Sequence, residues 1–269
     1  MWQSLGFHII PNHYYYPVPD TDDLREKQPW DDDYPTEGIE LREEEQLKLL
    51  DDFKQYFSEC SFSGTEMFPH ADGAVLYAMV RKFKPDKIIE VGSGVSTRLS
   101  LIASTQNKKQ TGDTTEIIAI EPYPDESLRE LNRTRENLTL IETKAEELDA
   151  ENYLQLKEGD FLFIDSSHTL NIGNDVAHLY LRILPQLPKG VYVHCHDIFF
   201  PSEYPKEWIL DSHRFWTEQY LLQTFLMFND SFDVVWSGHH MYDEYRDKFE
   251  KALPKAERCG GSFWIKRVD

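Results

Sequence analysis

The sequence is short of cysteine, of positive charge and of long apolar runs, and each shortage excludes a class of protein. Its only cysteines are Cys60, Cys195 and Cys259, an odd and scattered set that argues against a disulfide scaffold and for a reducing compartment. Lys and Arg number 28 against 48 Asp and Glu, a net charge of −20 that disfavours long contacts with nucleic-acid phosphates. No apolar run approaches the roughly 20 residues that span a bilayer, and the amino terminus lacks the basic-then-apolar pattern of a signal peptide. We therefore expect a cytoplasmic protein that binds neither nucleic acid nor membrane.

The first 60 residues differ in character from the rest of the chain. They contain 15 acidic and 5 basic side chains, and five prolines between positions 11 and 35 exclude a long helix there. Apolar residues at helical spacing between Leu47 and Phe57 predict a helix that packs on another element. We predict an aromatic and acidic cap over residues 1–60 and a main domain over 61–269. Four neighbouring rings in the cap are costly to leave in water, and we interpret them as an active-site lid that contacts substrate: His13, Tyr14, Tyr15 and Tyr16.

A glycine turn follows the first apolar run of the main domain. Ile88-Ile89-Glu90-Val91 has the composition of a buried strand, and Gly92 and Gly94 then lead into a helical pattern. Glycine has no Cβ, so such a turn lets a ligand approach backbone N–H groups at a helix start. Thr97 stands where a dinucleotide-binding turn would have its third glycine, so the ligand need not contain a pyrophosphate.

Acidic residues follow three further apolar runs. Glu121 comes directly after Ile117–Ile120, and its carboxylate is well placed to accept hydrogen bonds from two ribose hydroxyls. Glu146 follows the run 138–141, and Asp165 ends the run 160–164. Ligands of open α/β sheets bind beyond the carboxyl ends of the strands, so these acids and the glycine turn describe one site.

With these residues the chain resembles the class I S-adenosylmethionine-dependent methyltransferases, in particular a bacterial subset that acts on small molecules. The resemblance covers about residues 65–269 and rests on four motifs in order: Glu90-Val91-Gly92-Ser93-Gly94, Ile120-Glu121-Pro122, Ile164-Asp165-Ser166-Ser167-His168 and His196-Asp197. It implies an α/β, Rossmann-like sheet of seven strands, five parallel and then an antiparallel pair at 232–236 and 262–266. It also implies S-adenosyl-L-methionine as cofactor, bound by Glu90, Gly92, Ser93, Gly94, Glu121, Pro122, Glu146 and Asp165.

The chemistry is expected where the fourth and fifth strands end. Methyl transfer needs a nucleophile in line with the sulfonium and a group that takes the proton of that nucleophile. Histidine has an unperturbed pKa of roughly 6.5, and an adjacent carboxylate can orient its ring. We therefore predict His168, His196 and Asp197 as catalytic residues, with His168 ahead of His196 as the base. The competing interpretation is that either ring only hydrogen-bonds loop backbone.

The same atoms also allow a metal site. Related cation-dependent O-methyltransferases bind Mg²⁺ through the acid after strand four and an Asp-Asn pair after strand five, but this chain has Ile198 at the Asn position. Histidine ligands would suit Fe, Mn or Zn better than Mg. The candidate ligands are Asp165, His168, His196 and Asp197.

Three functions remain open from the sequence. The leading one is methyl transfer to a hydroxyl or amine of a small metabolite, in natural-product or other specialised metabolism. The second is an NAD-dependent oxidoreductase, against which stand the missing third glycine and the absence of a Tyr-x-x-x-Lys pair. The third is a binder that keeps the cofactor turn without catalysis. A homodimer is compatible with each of them.

Overall fold

Seven strands form the centre of the protein, seen in a computed structural model that describes residues 2–65, 68–254 and 260–269. The strands are β1 (Lys87–Val91), β2 (Glu116–Ile120), β3 (Leu138–Ile141), β4 (Phe161–Ile164), β5 (Tyr192–Cys195), β6 (Phe232–Ser237) and β7 (Phe263–Arg267). They lie in the order β3-β2-β1-β4-β5-β7-β6. Strands β1 to β5 pair in parallel, whereas β7 is antiparallel to both β5 and β6. The predicted fold is confirmed, and β7 begins and ends one residue later than predicted. Cys259 lies outside the described residues.

Helices connect and cover the strands. The α-helices are α1 (Thr21–Lys27), α2 (Glu43–Phe57), α3 (His70–Phe83), α4 (Val95–Thr111), α5 (Glu126–Thr134), α6 (Glu151–Leu154), α7 (Asp175–His178), α8 (Lys206–Leu210), α9 (Glu218–Leu226), α10 (Gly238–Glu244) and α11 (Arg246–Ala252). Short 3₁₀ segments occupy Trp2–Leu5, Ala145–Glu147 and Leu184–Gln186, and a π-helical turn occupies Leu179–Ile183. None of the described helices has the length and apolar composition that a membrane span requires.

Both faces of the central strands are buried. Ile88 and Phe161 pack into one hydrophobic cluster with α2 and α3, whereas Ile89 and Leu162 pack into a second cluster on the other face. Because successive side chains of a strand point to opposite faces, a strand covered on both sides must be apolar along its whole length. This is why β4 is a continuous apolar run in the sequence and why β1 is apolar at Ile88, Ile89 and Val91, with the buried Glu90 as an exception.

The amino-terminal segment packs against the main domain beyond its first 20 residues. The Trp30 Nε1 group donates a hydrogen bond to the Tyr204 carbonyl at 2.7 Å, and the Tyr34 amide donates to the Pro201 carbonyl at 3.0 Å. On α2, Phe53 and Phe57 are buried in the same cluster as the sheet. The helix predicted over residues 47–57 is therefore part of the main hydrophobic core, and the domain boundary after residue 60 stays a prediction.

Candidate active site

The two glycines of the turn after β1 have different structural roles. Gly92 has a φ of 78°, and a Cβ built on it would lie 1.7 Å from the carbonyl oxygen of Asp165. Its amide also donates to the Ile120 carbonyl at 3.0 Å, so this residue joins the ends of three strands. A Cβ on Gly94 would meet no atom within 4 Å. Gly92 therefore allows the strand ends to pack closely, and Gly94 leaves open space at the start of α4.

A cavity of about 550 Å³ lies beyond the carboxyl ends of β1, β2 and β4. This volume is in the usual range for small-molecule sites. Five of the eight residues predicted to bind the cofactor line it: Gly92, Glu121, Pro122, Glu146 and Asp165. The sheet order explains this convergence, because β1 lies between β2 and β4.

The Glu121 carboxylate is fixed by backbone amides at this cavity. Oε2 accepts from the Ser93 amide at 3.2 Å and Oε1 accepts from the Tyr123 amide at 2.8 Å. Each carboxylate oxygen can accept a further hydrogen bond. The hydroxyls of Ser93 and Ser166 are buried without a hydrogen-bond partner among the described residues. Oriented acceptors and unpaired hydroxyls suit a polar, ribose-containing ligand.

Glu90 is not among the residues that line the cavity. Its side chain is 1 % exposed and accepts a hydrogen bond from the Ser96 hydroxyl. Burial raises the pKa of Glu90 to about 7, although Ser96 acts in the opposite direction. Glu90 therefore supports the start of α4 from beneath, and direct contact of Glu90 with a cofactor stays a prediction.

His168 lies between carboxylates from three elements. Its Nε2 is 3.2 Å from Asp165 Oδ1 and 3.7 Å from Asp197 Oδ2, and its Nδ1 donates to Glu218 Oε2 at 3.0 Å. The backbone of His168 is left-handed with a φ of 57°, and its carbonyl accepts from the Thr217 and Glu218 amides at 2.9 and 3.0 Å. The start of α9 therefore fixes both the backbone and the ring of His168.

This environment changes the charge expected for His168. Burial alone would lower the pKa of the imidazole, but the hydrogen bonds to Asp165 and Glu218 raise it to about 10. The ring is then an imidazolium at neutral pH, with a proton on both nitrogens. A role for His168 as base stays a prediction, and in this arrangement the ring must first lose its own proton.

Glu218 and Tyr180 belong to the site and were not identified from the sequence. Glu218 is fully buried on α9, and its second oxygen accepts from the Tyr180 hydroxyl at 2.9 Å. An acid within the apolar pattern of residues 215–228 is the only signal that could have indicated it. Because a buried carboxylate needs a charged or hydrogen-bonding partner, such an acid points to a polar cluster beneath the helix.

His196 lies on the other side of Asp197. Its ring is 1 % exposed and stacks on Phe68 with centroids 4.8 Å apart, and neither ring nitrogen has a hydrogen-bond partner among the described residues. Its Nε2 is 3.7 Å from Asp197 Oδ1. Asp72 on α3 is also fully buried, and its carboxylate and the carboxylates of Asp197 and Asp165 raise the pKa of His196 against the effect of burial. Asp72 gave no signal in the sequence.

Three of the four candidate metal ligands come together. One ligand atom each from Asp165, His168 and Asp197 lies within 4.8 Å of the others. His196 is not part of this group within the described residues.

The four rings predicted to form a lid do not cover the site. Tyr14 and Tyr15 are 91 % and 82 % exposed, and His13 packs against Tyr14 with ring centroids 4.3 Å apart. His13 and Tyr16 are also exposed. A lid function of this segment stays a prediction that would require it to move.

The chain is similar to a known domain family, to a relative in another organism and to a solved structure. A family model described as a methyltransferase domain matches residues 89–198. An uncharacterized protein of Archaeoglobus fulgidus is 31% identical over 173 residues, which are 58% of this chain and 77% of that protein. Among solved structures, the SAH-bound methyltransferase PaMTH1 of Podospora anserina is similar with a TM-score of 0.48 and 17% identity, over 98% of this chain and 100% of that one. The residues that the family model matches include Gly92, Asp165, His168 and Asp197.

Substitution of the two glycines by alanine tests their separate roles. Gly92→Ala should lower the free energy of unfolding by about 3 kcal/mol or more, because the new Cβ collides with backbone at a left-handed residue. Gly94→Ala, whose Cβ enters open space, should cost about 1 kcal/mol or less. Urea unfolding measures both, and equal losses would contradict the assigned roles.

Glu218→Gln tests the support of His168. The amide keeps the shape of the side chain but removes the charge beside Nδ1, so turnover should fall about 10- to 100-fold, as for other residues that orient a functional histidine. Glu203→Gln is the matched control, because Glu203 accepts hydrogen bonds from the Tyr34 and Tyr220 hydroxyls and is not among the described residues that form a hydrogen bond or an ion pair with His168. Wild-type turnover in Glu218→Gln would show that Glu218 only fills space.

Proposed function

This chain belongs to the class I S-adenosylmethionine-dependent methyltransferases, and from that premise we propose that it methylates a hydroxyl group of a small molecule, with an amine as the other acceptor to test. One observation carries the proposal. Asp165 lines the cofactor cavity, and its carboxylate is 3.2 Å from His168 Nε2. Asp165 therefore belongs both to the cavity proposed for the methyl donor and to the cluster proposed to take up the proton.

The residues around the cavity fit S-adenosylmethionine. Glu121 offers carboxylate oxygens to the ribose, while Gly94 leaves the space that a side chain would fill. Glu146 and Asp165 line the remainder, and their negative charges favour a cationic ligand. When bound, S-adenosylmethionine supplies a methyl group activated by its sulfonium.

The cluster at the ends of β4 and β5 would take the proton of the acceptor. As the oxygen–hydrogen bond of the acceptor breaks, Asp197 can receive the proton, since burial raises the pKa of this carboxylate against the effect of the nearby histidines. His168 would hold Asp197 and Asp165 in place through its charge. His196 faces Asp197 from the other side and would stabilise its ionised form between turnovers.

A metal-dependent form of the same transfer is favoured by one specific observation. Histidines that bind metals almost always donate their other ring N–H to a carboxylate or carbonyl, and His168 donates Nδ1–H to Glu218. Asp165, His168 and Asp197 would hold a divalent cation in place of the Nε2 proton, and Fe, Mn or Zn suits this set better than Mg. The cation would act as a Lewis acid on the acceptor hydroxyl.

The acceptor is proposed to be small and partly aromatic. Trp216 packs against His168 with ring centroids 4.3 Å apart, and it belongs to an aromatic cluster with Tyr204 and Trp208. Such an aromatic cluster suits an acceptor whose hydroxyl is attached to a planar or apolar group. Specialised metabolism, a cytoplasmic location and a homodimer stay predictions from the sequence.

Calorimetry with S-adenosylhomocysteine and with NAD tests the cofactor. We expect S-adenosylhomocysteine to bind and Glu121→Gln to weaken it about tenfold, because a hydrogen bond to a charged group contributes about 1.5 to 3 kcal/mol. Glu142→Gln is the control, since Glu142 is an exposed acid that pairs with Arg129 outside the cavity. Binding of NAD without S-adenosylhomocysteine would refute the proposal in favour of an oxidoreductase, and cofactor binding without any methylated product would favour a non-catalytic binder.

Thermal unfolding with and without Mn²⁺ separates the two forms of the mechanism. After treatment with EDTA, Mn²⁺ at 100 times its dissociation constant should raise the melting temperature by about 5 °C or more if the cluster binds it. Asp197→Asn should abolish this shift, whereas Asp211→Asn, an exposed acid in the segment before α9, should keep it. If Mn²⁺ leaves the melting temperature of the wild type unchanged and turnover is complete in EDTA, the metal-dependent form is rejected and the metal-free transfer is retained.

A further inference from the structure

Arg214 lies beside the candidate active site in the segment between α8 and α9. Its guanidinium carbon is 4.8 Å from the centre of the Trp208 ring and 5.2 Å from that of Trp216. The side chain is partly buried. Trp216 in turn packs against His168, so the Trp216 ring lies in contact with both the Arg214 guanidinium and the His168 imidazole.

The position of Arg214 is fixed by backbone contacts on both sides. Its own amide donates to the Trp208 carbonyl at 2.9 Å. Three residues further on, the Thr217 amide donates to the His168 carbonyl at 2.9 Å, and the Thr217 hydroxyl accepts from the Leu170 amide at 2.7 Å. The segment that contains Arg214 is thus attached to the loop that carries His168.

The guanidinium makes no ion pair and no side-chain hydrogen bond with any part of the chain that the structure describes. This is unexpected in a protein with 48 acidic and 28 basic residues. Arg214 lowers the pKa of Asp197 by its charge, but no described carboxylate lies within 4 Å of it. A planar guanidinium has five N–H donors, and stacking on indole rings leaves the donor edge available. The two rings therefore orient the cation without using its hydrogen-bonding capacity.

We propose that Arg214 binds a carboxylate of the methyl acceptor, which makes the substrate a small hydroxy acid with one anionic group. This rests on the proposed methyl transfer. Guanidinium binds carboxylate through two parallel hydrogen bonds, a geometry that fixes orientation as well as adding affinity. The site already holds the carboxylates of Asp165, Asp197 and Glu218 around His168, so a single arginine suits a ligand with one negative charge and not a dianionic phosphate. The aromatic residues at 208 and 216 would contact the body of the same molecule.

The test compares carboxylates with their amides. Wild-type protein saturated with S-adenosylhomocysteine is titrated with benzoate, 4-hydroxybenzoate and 3,4-dihydroxybenzoate and with the three matching amides, and binding is followed by saturation-transfer NMR. We expect at least one carboxylate to bind about tenfold or more tightly than its amide. Arg214→Gln should remove that preference, and Arg214→Lys should keep part of it because charge remains without the planar fork.

Arg246→Gln is the matched control. Arg246 also lies over an aromatic ring, 4.9 Å from the centre of Tyr242, but it is on α11. This variant should bind carboxylates like the wild type. Equal weakening of carboxylates and amides in Arg214→Gln would overturn the proposal and assign Arg214 to packing of the indoles. A wild type without preference for any carboxylate would also overturn it. A wild type that fails to bind S-adenosylhomocysteine would instead refute the proposed function, so the two failures are distinguishable.

Discussion

The charge on His168 is the constraint on which the candidate site depends. Asp165, Asp197 and Glu218 come from the end of β4, the end of β5 and the start of α9, and all three carboxylates approach one imidazole. Like charges this close repel strongly when they are partly removed from water, so a cation at the centre of the cluster stabilises the ionised carboxylates. Either a protonated ring or a ring with a bound metal ion satisfies this requirement. The two forms of the proposed mechanism are therefore two ways of meeting one electrostatic condition.

The sheet order explains why the cavity proposed for the methyl donor lies next to the cluster of His168 and its carboxylates. Strand β4 lies between β1 and β5, so the residue at its end faces the glycine turn on one side and Asp197 on the other. Gly92 makes the first approach possible, because a side chain there would collide with Asp165. On the second side, a Cβ on Gly261 would lie 2.3 Å from the Cα of Asp197, which is itself left-handed with a φ of 56°. Close backbone packing at two glycines thus sets the width of the site.

Apolar runs and glycine turns were sufficient to predict the first parallel strands and the residues at their ends, whereas the seven-stranded order with its antiparallel pair was predicted from the resemblance to the methyltransferase family. Five of the eight predicted cofactor residues line one cavity for this reason. Glu218, Tyr180 and Asp72 could not be predicted, since they reach the site from helices whose packing depends on contacts far apart in the chain. The same contacts explain why the unperturbed pKa of histidine was a poor guide to His168. The aromatic rings of residues 13–16 are exposed. A run of aromatic residues in a sequence does not by itself indicate which surface the rings pack against.

The attachment of α9 to the His168 loop has a consequence for how such an enzyme can change. The amides of Thr217 and Glu218 hold the His168 carbonyl, Glu218 holds the imidazole, and the segment just before them carries Arg214 and Trp216. Residues proposed to bind the acceptor and residues that hold His168 are therefore contiguous in the chain. A transplant of residues 206–226 from a relative would exchange both at once. With the roles proposed above, a change in substrate range and a change in reactivity would therefore arise within one short segment of the chain.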